Sequence, residues 1–470
     1  MRMGTAKAVL LLSIAFATLT VLYIGSQQAA EPPSPVRNII IMIGDGMGYN
    51  HVEAASLYRF GETGGQVYCS FPVQFGMSTH SYDGTKYDPD KAWTDFNFVR
   101  SFPTDSAASA TALSTGVKTS YKTVGRQYYG GVIENLMERA EKYSKATGVV
   151  SSVPFAHATP ACYVAHNISR YSYEDIAREM IKQSRLEVIM GTGHPLYDDD
   201  GGLLNEPMHY EMVGGKQVWE RLLAGMIGSD ADGDLESDPW TLVQTREEFL
   251  ALTSGETPKR VIGIPQVHTT LQLRRRGVDL PSDRSNVTVI DTTPFETPYN
   301  KGVPTLAEMS LAALSVLSRS PSGGDHGFVV MIEGGAIDWA AHANRSARFI
   351  EEQIDFDKAV EAVIEWVDQN SNWDETLLIV TADHETGYLL GPDSNPEWTP
   401  LLNNGKGKLP GLQWNSKGHT NSLVPLYAKG RAAALLEQYA DETDPVRGRY
   451  VDNTEIAKLI FELIEASGHK

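Results

Sequence analysis

Only two cysteines, Cys69 and Cys162, occur among the 470 residues. Two thiols are too few for a metal site built of thiolates or for a framework of several disulfides. The two residues either form a single bridge or remain free thiols, and the sequence leaves both alternatives open. A metal bound by this chain therefore depends on oxygen and imidazole ligands.

Positive charge is also scarce, because 40 Lys and Arg residues stand against 59 Asp and Glu residues, for a net charge of −19. A surface of this sign repels nucleic acid and anionic membranes, so neither is an expected partner. It also repels an anionic substrate, unless bound cations and an arginine reverse the field locally. Apolar residues make up 41% of the chain, which is enough for a soluble globular protein with a sizeable core.

The longest apolar run, Ala8 to Ile24, follows Arg2 and Lys7 at the N-terminus. It has 17 residues, which is long for a signal peptide and short of the roughly 20 that span a bilayer. Residues 1–30 are therefore predicted to be a cleaved signal peptide or, alternatively, a retained N-terminal anchor. Either way the protein is expected to be exported, as a periplasmic, secreted or cell-surface protein, and to touch a membrane only if this segment is retained.

Short apolar runs followed by polar blocks recur along the rest of the chain. They predict buried parallel strands at Asn38 to Ile43, Gly148 to Ser152, Leu186 to Met190, Phe328 to Ile332 and Thr376 to Thr381. Helical patterns lie between them, so the sequence predicts an α/β fold with a mostly parallel sheet. Ligands bind beyond the carboxyl ends of such strands, and the polar blocks follow those ends.

Three histidines and three carboxylates in these blocks have metal-ligand side chains: Asp45, Asp338, His342, Asp383, His384 and His419. In a helix that begins near Gly335, Asp338 and His342 face the same side, and His419 would complete a zinc site with an open position.

The adjacent pair Asp383 and His384 can bind a second ion together with Asp45, provided that the chain turns after the strand. Oxygen and imidazole ligands suit zinc or a similar divalent ion. A single His–Asp pair is as readily a salt bridge or a helix cap, but six such residues at strand ends favour two cation sites.

A hydroxyl stands in the segment Thr104 to Ser109, where Asp105 is predicted to cap a helix that starts at Ser106. Ser106 is either an ordinary first-turn residue or a nucleophile activated by the helix N-terminus and a nearby metal. Paired metals together with a hydroxyl indicate phosphoryl transfer.

Five blocks in a fixed order carry a wider resemblance: Gly44 to Gly48, Thr104 to Ala112, Glu333 to Asp338, Thr381 to His384, and Gly418 to Thr420. With these blocks the chain resembles the alkaline phosphatase family over about Asn38 to Gly430. The resemblance implies a three-layer α/β/α fold with a large, mostly parallel central sheet. It also implies a single catalytic domain, residues 36–470. The polar, irregular composition of the segments near 193–260 and 386–417 predicts that they are insertions in this domain.

The resemblance further implies hydrolysis of small-molecule phosphate monoesters to an alcohol and inorganic phosphate. Matched by position, Ser106 resembles the nucleophile that becomes phosphoserine, and Arg170 resembles the arginine that clamps the phosphate. The implied metal ligands form three sets, which are Asp338, His342 and His419 for one zinc ion (Zn2+), Asp45, Asp383 and His384 for a second, and Asp45, Thr159 and Glu333 for a magnesium ion (Mg2+).

Two residues depart from the enterobacterial members of the family. His157 stands where those members have aspartate, and Trp339 stands where they have lysine. Animal and some marine bacterial members resemble this chain at His157, and some marine bacterial members resemble it at Trp339. Imidazole is a poorer magnesium ligand than carboxylate, so His157 is expected to weaken the third site or to act through water. Trp339 is expected on the substrate side, without the phosphate contact that a lysine would make.

Other functions are weighed against this one. A phosphodiesterase of the same superfamily would tolerate loss of Arg170, and a sulfatase would need a formylglycine precursor that the residues after Ser106 do not supply. A non-catalytic phosphate or metal binder would not need Ser106. The family contains mostly homodimers and some monomers, so a homodimer is one of two expected states.

Overall fold

Strands and helices alternate along the chain in a computed structural model, which describes residues 36–231, 235–276 and 292–467. The strands are β1 (Asn38–Gly44), β2 (Val73–Ser78), β3 (Ala146–Pro154), β4 (Val188–Thr192), β5 (Gly228–Ser229), β6 (Asp238–Pro239), β7 (Thr241–Val243), β8 (Val261–Gly263), β9 (Phe328–Gly334), β10 (Thr376–Thr381), β11 (Glu385–Thr386), β12 (Leu389–Leu390), β13 (Gln413–Trp414), β14 (His419–Thr420), β15 (Val424–Lys429), β16 (Glu442–Asp444) and β17 (Gly448–Asp452).

The α-helices are α1 (Tyr49–Phe60), α2 (Pro89–Ala92), α3 (Ser106–Thr115), α4 (Leu136–Lys142), α5 (Ala158–Cys162), α6 (Tyr173–Gln183), α7 (Lys216–Leu223), α8 (Arg246–Ala251), α9 (Leu306–Arg319), α10 (Pro321–His326), α11 (Ala336–His342), α12 (Ser346–Asn370) and α13 (Asn453–Ser467). Short 3-10 helices cover Val67–Ser70, Phe98–Arg100, Tyr210–Val213 and Arg431–Gln438. Among these described helices, none is both long and apolar enough to cross a membrane.

The central sheet has 11 strands in the order β16-β17-β2-β15-β10-β1-β9-β3-β4-β8-β7. From β10 to β7 every neighbouring pair is parallel, and β15 joins this block in the antiparallel direction. The helices α9 and α12 pack on each other and on the sheet, while α3, α4 and α13 form a second packed group. The prediction of a three-layer α/β/α fold is thereby confirmed.

Both faces of the parallel block are covered, and this explains why its strands are continuous apolar runs. Every residue of β3, β9 and β10 is buried. A parallel strand with helices on both sides has no solvent face, so its sequence shows no alternation. The five predicted strands are all present, and their ends differ from the predicted ends by at most two residues.

The predictions about the cysteines, the N-terminal segment and the insertions are tested to different extents. Cys69 and Cys162 are both free thiols, which decides between the two alternatives. The predicted signal peptide or anchor within residues 1–30 lies outside the described residues. The described part of the segment near 193–260 contains α7, α8 and three short strands, and the segment near 386–417 contains the two-stranded sheet of β12 and β13. The proposed division into one catalytic domain with two insertions stays a prediction.

The loops after β1, β9 and β10 meet at one edge of the sheet. Gly46, which follows β1, has a φ of 74°, in the left-handed region that favours glycine. A Cβ atom at Gly46 would lie 2.8 Å from the Thr386 hydroxyl and 3.1 Å from Cβ of Asp338. The absence of a side chain at Gly46 therefore lets the three loops approach one another closely.

A buried ion pair fastens α12 to the segment that precedes it. Arg275 Nη2 donates to Glu351 Oε2 at 2.6 Å, and the backbone N–H of Phe295 donates to Glu351 Oε1 at 2.5 Å. Both charged side chains are almost completely buried. Removal of one partner would leave the other charge buried without compensation.

We therefore expect Glu351→Ala to lower the free energy of unfolding by about 3–5 kcal/mol. The matched control is Glu361→Ala on the same helix, because Glu361 pairs with Arg59 at 2.6 Å but both side chains are partly exposed. Exposed pairs contribute about 1 kcal/mol or less. Urea denaturation of the metal-loaded proteins measures both changes, and equal losses for the two variants would contradict the expectation.

Candidate active site

The first group of predicted ligands lies where α11 faces β14. Nε2 of His342 is 3.0 Å from Nε2 of His419, and these atoms lie 3.3 and 3.6 Å from Oδ1 of Asp338. The other ring nitrogens face carbonyl oxygens, Nδ1 of His342 at 2.5 Å from Lys417 O and Nδ1 of His419 at 2.8 Å from Thr104 O. A ring that donates through Nδ1 keeps a lone pair on Nε2, so two lone pairs and a carboxylate converge on one point.

The second group follows β1 and β10. Nε2 of His384 lies 3.5 Å from Oδ1 of Asp45 and 3.2 Å from Oδ2 of Asp383. As predicted, the chain leaves the strand after Thr381, so adjacent residues point to the same place. Within the described residues, no group donates a hydrogen bond to either oxygen of Asp45 or to Oδ2 of Asp383.

The two groups are neighbours. The ring of His384 stacks on that of His419, with centroids 3.7 Å apart. The ligand atoms of Asp338, His384 and His419 lie within 4.8 Å of one another, and so do those of Asp45, Asp383 and His384. His384, which the sequence assigns to the second group alone, thus lies within reach of both.

The pKa values of these groups show what the arrangement requires. Burial, followed by the charges of Asp383 and Asp338, raises the pKa of Asp45 well above its ordinary value. Burial also raises the pKa of Asp383 to about 8. Burial, and then the neighbouring His419 and His342, lowers the pKa of His384 well below its ordinary value. Buried carboxylate oxygens without donors, beside the His384 imidazole that resists protonation, fit divalent cations as their missing partners.

Ser106 is the first residue of α3, whose N-cap is Asp105, as predicted. Its hydroxyl oxygen lies 3.2 Å from Nε2 of His384, at the edge of the second group. Asp105 accepts a hydrogen bond from the backbone N–H of Ala108 at 3.2 Å, and its other oxygen accepts from Nη1 of Arg170 at 2.9 Å. One carboxylate therefore positions both the serine helix and the arginine.

Arg170 is a buried cation with donors to spare. Burial lowers the pKa of its guanidinium, but the charge of Asp105 more than offsets this and raises the pKa above its ordinary value. Nε of Arg170 meets no acceptor in the described part of the chain. A fixed guanidinium with a free donor is suited to the oxygens of a phosphate.

The third predicted group lies behind the second. Glu333 is at the end of β9, in register with Ile43 of β1, and Thr159 lies beside it in α5. Oε2 of Glu333 accepts a hydrogen bond from Ser151, whereas Oε1 meets no donor among the described residues. Burial raises the pKa of Glu333 to about 7, although the hydrogen bond from Ser151 lowers it.

His157 and Trp339 form a wall next to this group. His157 is the N-cap of α5, and burial, followed by the charge of Arg170, lowers its pKa to about 3. Its ring lies 5.4 Å from that of Trp339 and 6.2 Å from that of Tyr173, measured between centroids. The guanidinium of Arg274 lies 5.0 Å from the Trp339 ring on the partly exposed side. A neutral His157 thus carries no charge towards a third cation.

Comparisons with known proteins agree with this geometry. The sequence model of the alkaline phosphatase family matches residues 36–410. The alkaline phosphatase of Escherichia fergusonii is 31% identical over 428 residues, which cover 89% of this chain and 86% of that enzyme. That of Escherichia coli K12 is 31% identical over 435 residues, covering 89% and 87%. The chain belongs to the alkaline phosphatase family.

The solved structures support the same fold. The cold-active alkaline phosphatase of a psychrophilic Shewanella species superposes with a TM-score of 0.63, at 23% identity, over 91% of this chain and 99% of that one. The alkaline phosphatase of Thermus thermophilus superposes with a TM-score of 0.59, at 22% identity, over 92% of each chain. The resemblance drawn from the five blocks is confirmed, and the chain is an enzyme of this family, a phosphoric monoester hydrolase.

Some residues that hold this alkaline phosphatase-like site together had no signal in the sequence. Thr386 donates to Oδ1 of Asp338 at 2.6 Å and lies 3.2 Å from Nδ1 of His384, so that it orients both groups. Ser109 donates to the carbonyl oxygen of Asp383 at 2.5 Å. The sequence predicts the helix cap at Asp105, but it does not predict the ion pair between Asp105 and Arg170. Threonines and serines are too common for their type alone to mark such roles.

The site predicts a pH dependence of metal-linked stability. In metal-free protein, Asp383 has a folded pKa of about 8, against an ordinary value of 3.8. The contribution of Asp383 to stability is therefore complete below the pKa that it has in the unfolded chain, and it is lost as the pH rises through the pKa that it has in the folded protein. A bound cation compensates the ionised carboxylate and removes this loss. We expect the difference in Tm between zinc-loaded and chelator-treated protein to widen from pH 5 to pH 8.

Differential scanning calorimetry of both forms across that range measures the difference. Other buried carboxylates, such as Glu352 with a burial-raised pKa of about 8, titrate in both forms and cancel. Asp383→Asn is the control, since an amide does not titrate and the widening should shrink. A difference that stays constant with pH would contradict the expectation.

Proposed function

We propose that this protein hydrolyses phosphate monoesters in two steps through a phosphoserine formed on Ser106, at a site with two zinc ions and one magnesium ion. The observation that carries the proposal is the convergence of three imidazoles and three carboxylates beside one serine hydroxyl, with no donor from the described residues to either oxygen of Asp45 or to Oδ2 of Asp383. The first zinc ion is assigned to Asp338, His342 and His419, and the second to Asp45, Asp383 and His384.

Bound cations supply Lewis acidity and positive charge to the phosphoryl oxygens in this chemistry. The protein residues hold the reacting groups in place. Ser106 stands at the N-terminus of a ten-residue helix, where the helix dipole favours a negatively charged oxygen. In the first step its oxygen bonds to phosphorus while the bond to the alcohol oxygen breaks. In the second step water bonds to phosphorus while the bond to Ser106 breaks, which regenerates the hydroxyl and releases inorganic phosphate.

Arg170 is assigned to clamp the phosphate. Its guanidinium is held by Asp105, and its unpaired Nε is available to a phosphate oxygen. The charge on the phosphoryl oxygens persists through both steps, so one fixed cation can stabilise both transition states.

The third site is assigned to Asp45, Thr159 and Glu333, with His157 beside it. Hydroxyl and carboxylate oxygens suit magnesium. Because His157 is neutral, it contributes to this site only as an imidazole or through a water molecule.

We also infer that the enzyme is exported, as a periplasmic, secreted or cell-surface protein, through the basic and apolar segment within residues 1–30. There it would release phosphate from external esters. The domain arrangement is proposed as a single catalytic domain, residues 36–470, with insertions near 193–260 and 386–417. A homodimer is proposed on the resemblance to the family alone.

The decisive experiment combines Ser106→Ala with metal analysis. We expect the variant to lose at least about a thousandfold in kcat for a phosphate monoester, because the nucleophile is gone. Its zinc content should stay that of the wild type, because Ser106 belongs to neither ligand group. Acid quench of the wild type with a 32P-labelled monoester should trap label on Ser106, and chelation should abolish activity until zinc returns.

Three results would contradict the proposal: full activity of Ser106→Ala, no label on serine, or insensitivity to chelators. A phosphate diester and a sulfate ester serve as matched control substrates, and faster hydrolysis of either would identify another activity of the superfamily.

Trp339 yields a second expectation about the same site. Trp339→Lys places an ammonium next to Asp338 and the phosphate position, so inorganic phosphate should inhibit the variant more strongly. A Ki lower by about tenfold corresponds to about 1.4 kcal/mol. Trp339→Phe, which keeps an aromatic ring without adding charge, is the control. The measurement is Ki for phosphate in steady-state assays, and unchanged inhibition in Trp339→Lys would show that the position does not face the phosphate.

A further inference from the structure

Lys122 is a cation whose backbone contacts both Asp105 and Arg170, and the mechanism above does not use it. It lies between α3 and α4, in a backbone conformation with φ of 68°. Residues other than glycine and asparagine rarely adopt this left-handed backbone conformation, and such backbone strain concentrates at functional positions. The strain is maintained by the surroundings rather than by the lysine itself.

The backbone of Lys122 is tied to the phosphate clamp from both sides. Its N–H donates to Oδ1 of Asp105 at 2.8 Å, and its carbonyl oxygen accepts from the N–H of Arg170 at 2.9 Å. Asp105 in turn holds the guanidinium of Arg170. One hydrogen-bonded unit therefore positions Ser106, Arg170 and Lys122.

The side chain of Lys122 is positioned by aromatic rings. Its ammonium lies 5.0 Å from the ring centroid of Tyr121 and 5.1 Å from that of Tyr171. Both rings are largely open to solvent, with 47% and 57% exposure. Tyr171 directly follows the buried Arg170, so the ammonium lies on the solvent side of the segment that carries this arginine. The cation occupies one face of each ring, so these rings serve to hold the charge.

The charge of Lys122 is not matched by a protein carboxylate. In residues 36–231, 235–276 and 292–467, no Asp or Glu forms an ion pair with its ammonium, and both oxygens of Asp105 are already hydrogen-bonded to other groups. The chain as a whole carries a net charge of −19, whereas Lys122 is a half-buried cation without a carboxylate partner among the described residues. It offers a local attraction for anions where the overall field repels them.

We propose that Lys122 is a substrate-binding residue that selects phosphate monoesters whose alcohol carries a second anionic group, either a carboxylate or a second phosphate. The proposal rests on the proposed function, because Arg170 must hold the first phosphate for Lys122 to meet the rest of the ester. The alcohol part leaves the buried position towards solvent, past the ammonium, which can pair with its second charge.

The test compares two esters with the same three-carbon skeleton, 3-phosphoglycerate and glycerol 3-phosphate. The first has a carboxylate where the second has a neutral hydroxymethyl group. We expect the ratio of their kcat/KM values, with phosphoglycerate in the numerator, to fall about tenfold in Lys122→Asn, mainly through KM. Asparagine tolerates the left-handed backbone, so this variant removes the charge and keeps the fold. Added salt should lower the ratio in the wild type and have little effect in the variant.

Two controls separate this role from general electrostatics. Lys406→Asn removes an equal charge beside Gly61, at the far end of the 12-residue helix α1, and should leave the ratio unchanged. Tyr171→Phe, which keeps the ring, should also keep the ratio, whereas Tyr171→Leu should lower it.

An unchanged ratio in Lys122→Asn, or an equal fall in Lys406→Asn, would overturn this proposal while hydrolysis of both esters continues. Failure of the wild type to hydrolyse either ester would instead overturn the proposed function, and this proposal with it.

Discussion

The architecture depends on an electrostatic arrangement that the protein alone cannot satisfy. Nε2 atoms of His342 and His419 face each other at 3.0 Å, and both oxygens of Asp45 lie buried without a donor from the described residues. Such lone pairs and charges repel one another in a medium of low dielectric constant. Only positive charge placed between them makes the arrangement favourable, and the same positive charge is what a phosphoryl group requires.

The sheet brings these groups together because its strands are parallel. The carboxyl ends of β1, β9 and β10 lie at one edge, so residues far apart in sequence share one small volume. Gly46 allows the loops to touch, and the antiparallel strand β14 delivers His419 to the same place. The fold thereby sets the distances between the ligands.

Asp105 links the chemical parts of the site. It caps the serine helix, holds the guanidinium of Arg170 and accepts from the backbone of Lys122. A carboxylate with all of its contacts made inside the protein does not compete with substrate for the cations around it. This explains how an acidic protein keeps a locally positive site for an anionic substrate.

Sequence alone determined the strands, because buried parallel strands are uninterrupted apolar runs. It also determined the candidate ligands, because six histidines and carboxylates that all follow strand ends together favour cation sites. The resemblance added roles for Ser106 and Arg170 that spacing could not assign. Only the tertiary structure decided that His384 adjoins both ligand groups, that both cysteines are free, and that Thr386 and Asp105 orient the site. These facts depend on contacts between residues distant in sequence, which local pattern does not encode.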